Sequence, residues 1–173
     1  MDNEAQRLAR LALIVLDVDG VLTDGTVLLG AGDEEQKSFS TRDGAGLALW
    51  RDAGYGVTFL TGRGGAAVRR RAQELRVPRI WEHVRDKAAA FAEILEHFEL
   101  RPEQVAVMGD DLPDLPLLKL AGYRTCPVDA AADVLSRVDW VAPSRGGHGA
   151  VRDLVEHILR SRGEWDQLVE PLA

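Results

Sequence analysis

The sequence predicts an α/β fold, a mostly parallel sheet with helices on both faces, and three observations point there. Strand-length apolar runs alternate with helical segments from about residue 11 to residue 160, with no internal repeat and no low-complexity linker. Strands separated by helices pair in parallel, because each crossover returns the chain to the same edge of the sheet. Two of the runs end in paired acids, Asp17-Val18-Asp19-Gly20 and Gly109-Asp110-Asp111. That places carboxylates at the C-terminal edge, where open α/β sheets bind their ligands.

Residues 11–17 read as the first strand. Residues 26–29 and 37–40 flank Gly30-Ala31-Gly32-Asp33 and read as a projecting β-hairpin. A helix over 44–53 stops at Gly54, a strand follows over 56–60, then a helix over 66–75 and a short strand over 79–82. Residues 87–98 carry Phe91, Ile94, Leu95 and Phe98 at the spacing of one helical face. Then come a strand over 104–108, a helix over 115–121, a strand over 123–127, a helix over 130–136 and a strand over 139–142. Val151, Leu154, Val155, Ile158 and Leu159 mark the last helix, after Gly146-Gly147-His148-Gly149. The tail, residues 163–173, holds Trp165, Leu168, Val169 and Leu172. A tail that apolar packs either on its own domain or on a neighbouring subunit.

The bulk composition narrows the classes. At 173 residues the chain suffices for a single domain with a core over 11–160, and 46% hydrophobic residues argue against disorder. A net charge of −7 argues against general nucleic-acid binding. Cys126 is the single cysteine and reads as a buried core thiol. No apolar run reaches membrane-span length and residues 1–10 lack a signal-peptide core, so a cytoplasmic protein with no membrane partner is expected. No His/Cys cluster suggests zinc. His97 and His157 read as surface residues, and His83 sits near Lys87 at a site entrance.

Four motifs carry the chemistry. Asp17 and Asp19 place two carboxylates where one can attack phosphorus and the other handle the leaving-group proton, with a divalent cation offsetting their repulsion. Phe59-Leu60-Thr61-Gly62-Arg63 brings a hydroxyl to the same edge, and Gly62 lets backbone amides approach an anion. Lys87 opens a helix and can neutralise a phosphoryl group. Asp110 suits a hard cation such as magnesium, with Asp111 or Asp114 holding waters or loops.

In this order the motifs resemble the haloacid dehalogenase superfamily of aspartate-nucleophile phosphatases, over about residues 11–159. The resemblance implies a Rossmann-like fold, Asp17 as nucleophile, Asp19 as acid and base, and Thr61 and Lys87 on the phosphoryl oxygens. It also implies Mg2+ bound by the side chains of Asp17 and Asp110 and the backbone carbonyl of Asp19. The spacing adds that residues 19–61 have room for one hairpin and one helix, and 61–110 for little beyond core helices. Neither gap holds a cap domain, so the site is open in the monomer, and a neighbouring subunit is the simple candidate to close it.

Gly20 to Gly25, Lys37 to Gly44, Thr61 to Arg63, Gly109 to Leu112 and Gly146 to Arg152 are similar to the capless 3-deoxy-D-manno-octulosonate 8-phosphate phosphatase family. That resemblance implies a homotetramer whose hairpins form a barrel. It implies a sugar-acid phosphate substrate in lipopolysaccharide biosynthesis. The substrate shell it implies is Ser40, Thr41, Arg42, Asp43, Gly44, Gly62, Arg63, Arg71 and Asp111. Three departures alter that shell: Ala48 stands where the family usually has arginine, Trp81-Glu82-His83 replaces Tyr-Gln-Gly, and His148 replaces arginine. Phosphatases of 2-keto-3-deoxynononate 9-phosphate and N-acylneuraminate 9-phosphate resemble the chain about as well, although Arg63 matches the octulosonate branch better. Two non-enzyme readings, a phosphoacceptor receiver domain and an idle oligomerisation module, fit less well. Receivers place the acid pair ahead of the phosphoacceptor, and the full set Asp17, Asp19, Thr61, Lys87 and Asp110 is more than an idle module needs.

Overall fold

A computed structural model of the chain describes residues 3–30 and 35–172. In chain order its principal elements are α1 (Glu4–Arg10), β1 (Leu13–Leu16), β2 (Leu28–Leu29), β3 (Glu35–Gln36), α2 (Thr41–Asp52), β4 (Gly56–Leu60), α3 (Ala66–Glu74), β5 (Ile80–Trp81) and α4 (Lys87–Phe98). They continue with β6 (Val105–Met108), α5 (Leu115–Leu118), β7 (Tyr123–Pro127), α6 (Ala132–Leu135), β8 (Trp140–Ala142), α7 (Ala150–Ser161) and α8 (Trp165–Val169).

Six strands form one sheet in the order β5-β4-β1-β6-β7-β8, and every pairing in it is parallel. Successive residues of β1 serve opposite cores: Ile14 and Leu16 pack with α2 and α7, while Leu13 and Val15 pack with α4 and α5. A strand buried on both faces has to be apolar at every position, and all four residues are fully buried. The chain builds outward from β1 to β4 and β5, then returns through α4 to β6 on the other side. The strand order therefore reverses at β1, and a crevice opens beyond its C-terminal end.

The predicted helices and strands of the core are present, with shifted limits at several ends. α2 begins at Thr41, three residues before the predicted start, because the Ser40 side chain accepts the Asp43 N–H (3.3 Å) and caps it. The hairpin is real, but its return limb is Glu35–Gln36 and not 37–40. Gly30 is described, and the rest of the predicted turn, Ala31-Gly32-Asp33, lies outside the described residues. α1 was not expected from the sequence; Asn3 and Gln6 form a reciprocal cap at its start, and Leu8 is its one buried residue. His157 is half-buried rather than on the surface, stacked on Trp140 at 4.6 Å and within 3.1 Å of the Tyr123 hydroxyl.

The tail packs on its own chain. Trp165 is buried with the guanidinium groups of Arg152 and Arg160 against its ring, and Leu168 and Val169 pack on the same core. Among the described residues no helix is long and apolar enough to cross a membrane.

Candidate active site

The turn after β1 is held by its own hydroxyl. Thr23 donates its N–H to the Val18 carbonyl (3.0 Å), and its Oγ1 accepts from the Gly25 N–H (3.2 Å) and the Gly20 N–H (3.4 Å). Gly20 sits at φ +95°, and a Cβ there would lie 2.0 Å from Asp110 Oδ2. Glycine is thus required twice at this position, for the left-handed backbone and for room beside a carboxylate. The turn has a wall behind it: a Cβ on Gly146 would meet the Gly20 carbonyl oxygen at 1.8 Å, and the Gly147 N–H donates to the Val21 carbonyl at 2.9 Å. The glycine run before α7 serves this backbone-to-backbone contact.

Asp17 leaves the end of β1 and is 6% exposed. Lys87, the first residue of α4, donates to Asp17 Oδ1 at 2.6 Å and to Asp114 Oδ1 at 2.5 Å. Asp86 caps α4 by accepting the Ala89 N–H (3.0 Å), which fixes where Lys87 emerges. Asp114 does more than hold a loop in water. Its Oδ2 accepts the N–H groups of Asp110 (2.9 Å) and Asp111 (3.3 Å), so it ties the second acidic turn to Lys87. Thr61 is buried at the end of β4, with its Oγ1 accepting the Arg63 N–H at 3.1 Å.

These groups line one cleft of about 410 Å³ that contains Asp17, Asp19, Thr61, Gly62, Arg63, Lys87, Asp110 and Asp111. Asp114 and Arg85 also line it, and no motif in the sequence singles out Arg85. The structure does not bring Ser40, Thr41, Arg42, Asp43, Gly44 or Arg71 to the cleft. Asp43 is buried and accepts the N–H groups of Gly149 (3.2 Å) and Arg152 (2.9 Å), capping α7 from a distant part of the chain. Arg71 donates to the Ser40 carbonyl (2.8 Å) and pairs with Glu74 (3.0 Å), bracing the entry to α2. Gly44 leaves room for that guanidinium, since a Cβ would stand 2.5 Å from Arg71 Nη2. His83 does not line the cleft and is largely exposed beside Glu82.

The electrostatics call for a further positive charge. Oxygens of Asp17, Asp110 and Asp114 all lie within 4.8 Å of one another. Burial first, and then Asp114, push the Asp17 carboxyl up against the pull of Lys87. Burial and the charges of Asp17, Asp114 and Asp111 push Asp110 up to about 8. Burial opposes the charge on Lys87, but Asp17 and Asp114 outweigh it and raise its pKa. Asp110 Oδ1 is buried with no hydrogen-bond partner. A crowd of hard oxygen donors with one orphaned oxygen suits a magnesium-type cation. Asp17 and Asp110 would hold it through their side chains.

A pH dependence of stability follows. From about pH 4 upward an unfolded chain releases these two protons, while the folded metal-free chain keeps them until about pH 7 to 8. The folded state then binds more protons, so the stability these groups contribute falls as pH rises through that window. In EDTA the unfolding temperature is expected to decline from near pH 5 to near pH 8 more steeply than that of Asp110→Asn. Mg2+ is expected to raise it more at the higher pH, because it binds the ionised folded state. An equal Mg2+ increment at both pH values would contradict a cation held by these carboxylates.

Comparison with known proteins agrees with this arrangement. A family model described as haloacid dehalogenase-like hydrolase matches residues 78–154. The chain is 36% identical over 157 residues to the 3-deoxy-D-manno-octulosonate 8-phosphate phosphatase of Escherichia coli (strain K12), covering 91% of this chain and 84% of that one. A crystal structure of the Moraxella catarrhalis phosphatase of the same name, in complex with magnesium ion, phosphate ion and KDO, superposes with a TM-score of 0.94. It is 31% identical and covers 98% of this chain and 97% of its own. The cobalt-bound enzyme of Haemophilus influenzae has a TM-score of 0.89 at 35% identity, covering 91% and 92%. With its acid pairs, threonine and lysine gathered at the edge of such a sheet, the chain belongs to the 3-deoxy-D-manno-octulosonate 8-phosphate phosphatase family of haloacid dehalogenase-like hydrolases.

Proposed function

We propose that the chain is a Mg2+-dependent phosphomonoesterase that hydrolyses 3-deoxy-D-manno-octulosonate 8-phosphate through a phospho-aspartate. The observation that carries this is the buried Asp17 carboxylate, held by Lys87 at the base of an acid-lined cleft whose Asp110 oxygen is unpartnered. Asp17 attacks phosphorus, and Asp19 gives a proton to the departing sugar oxygen. In the second step Asp19 takes a proton from the water that releases phosphate. Thr61, the Gly62 backbone and Lys87 hold the phosphoryl oxygens. Bound Mg2+ supplies charge neutralisation between the carboxylates and the phosphate. Positioning and electrostatics carry most of the rate in such transfers. Arg63 and Arg85 give the cleft the cationic rim that a substrate bearing both a phosphate and a carboxylate needs.

The octulosonate assignment is supported by the relatives named above and by Arg63 at the cleft. The site is open to solvent, and the hairpin beside it exposes Val27, Leu28 and Leu29, the last at 81%. An exposed apolar hairpin of this kind supports assembly into a homotetramer, which would be cytoplasmic given its soluble substrate. Leu29→Asp is expected to lower the oligomeric mass measured by light scattering; an unchanged mass would move the interface elsewhere.

The deciding assay is phosphate release from 3-deoxy-D-manno-octulosonate 8-phosphate and 2-keto-3-deoxynononate 9-phosphate, with and without Mg2+. Preference for the first confirms the octulosonate reading despite Ala48 and His148. Preference for the second transfers the chain to the nononate branch.

A further inference from the structure

The hairpin reaches into the cleft through one residue. Lys37 follows β3 directly, and its side chain is 1% exposed. It pairs with Asp19 Oδ1 on one side and with Glu35 (2.6 Å) on the other. Glu35 in turn takes Arg63 at 2.6 Å, so a chain of four alternating charges runs from the cleft wall to Asp19. Asp19 Oδ2 is buried and without a hydrogen-bond partner. A buried ammonium with two carboxylate partners is costly to place and has little freedom to move. It is more than a hairpin needs in order to fold, since β2 and β3 already pair with each other.

We propose that Lys37 is a positioning residue for the leaving-group proton: it fixes the Asp19 carboxyl by Oδ1 and leaves Oδ2 as the atom that carries the proton. This inference rests on the phosphatase reading above. As the bond from the Asp17 oxygen to phosphorus forms, the bond from phosphorus to the sugar oxygen breaks. The leaving oxygen takes the proton from Asp19 Oδ2, and Asp19 is left ionised beside Lys37. The β2–β3 hairpin, through Lys37 and Glu35, thereby sets the orientation of the acid.

The test uses leaving groups of different need. A sugar alkoxide has to be protonated as it departs, whereas p-nitrophenolate leaves without help. kcat/KM reads the steps up to phosphoryl transfer, so the water step does not enter the comparison. General acids contribute about 10² to 10⁴ in rate, and a misplaced one forfeits part of that. Lys37→Met is expected to lose about 30-fold or more in kcat/KM on the sugar phosphate, and about tenfold less than that on p-nitrophenyl phosphate. Lys37→Arg is expected to recover part of the difference. Glu35→Gln, which loosens Lys37 without removing it, is expected to shift the ratio in the same direction by a smaller factor. Equal losses on both substrates, in Lys37→Met and in Glu35→Gln, overturn the proposal. Failure of the wild-type chain to cleave the sugar phosphate overturns the substrate reading instead, and an alkyl phosphate that it does cleave then takes the sugar's place in the ratio.

Discussion

Asp17→Asn is expected to lower kcat by about four orders of magnitude or more while leaving the fold intact, as loss of a covalent nucleophile does in enzymes of comparable economy. An amide of the same shape can still accept from Lys87, but it is a poor attacking group. The fold should tolerate the change because Lys87 keeps Asp114 as its second partner. Removing one of three crowded carboxylates also relieves a repulsion that pushes Asp110 up to about 8. The unfolding temperature of the metal-free variant is therefore expected to match or exceed that of the wild type. Steady-state phosphate release and thermal unfolding in EDTA check the two halves separately. Residual activity above about one per cent would move the nucleophile away from Asp17.

Gly20→Ala is expected to damage the site by another route. The residue adopts φ +95°, which costs a side chain about 1–2 kcal/mol, and its Cβ would lie 2.0 Å from Asp110 Oδ2. Asp110 cannot retreat freely, because its N–H is bound by Asp114 and its other oxygen is buried. The turn cannot retreat either, because Gly146 is packed on its carbonyl. The expected outcome is a Mg2+ requirement raised about tenfold to a hundredfold, the range typical for disturbed metal-site geometry, together with a drop in kcat. A Mg2+ titration of activity reads this directly. Wild-type Mg2+ dependence would mean that Asp110 is not a ligand.

The core was legible because strands buried on both faces and helices buried on one leave different apolar patterns. β4, β7 and α4 have the limits expected from their residues. α1 was not legible because it buries only Leu8, and one apolar residue has no period. The return limb of the hairpin was misplaced because the alternation over 37–40 looks like a strand, whereas Lys37 is drawn to Asp19 instead of across to β2. The cleft residues were legible where strands or helices end: Asp17, Thr61, Lys87 and Asp110. The resemblance puts Asp43 and Arg71 in the substrate shell; their partners within the chain, Gly149, Arg152 and Ser40, are fixed only by tertiary packing and leave no pattern in the sequence. Asp114 shows the reverse. Its spacing after Asp110 suggests a solvated turn, and only the approach of α4 makes it the second anchor of Lys87.

The contact between Gly146 and the Gly20 turn has a consequence for how the protein is made. The acidic turn leaves the ribosome before its backbone wall, the glycine run before α7, which follows only after more than a hundred further residues. Central strand β1 meanwhile waits for β6 to cover its second edge. A nascent chain can hold β1, β4 and the hairpin, yet it has no closed cation site until the glycine run before α7 has emerged. Contacts so distant in sequence slow folding, and at about 5–20 residues per second the delay between the two segments is about 6 to 25 seconds. Products stalled before the glycine run therefore carry the acidic motif without the metal-binding geometry, and the chain acquires its chemistry only once that run has been made.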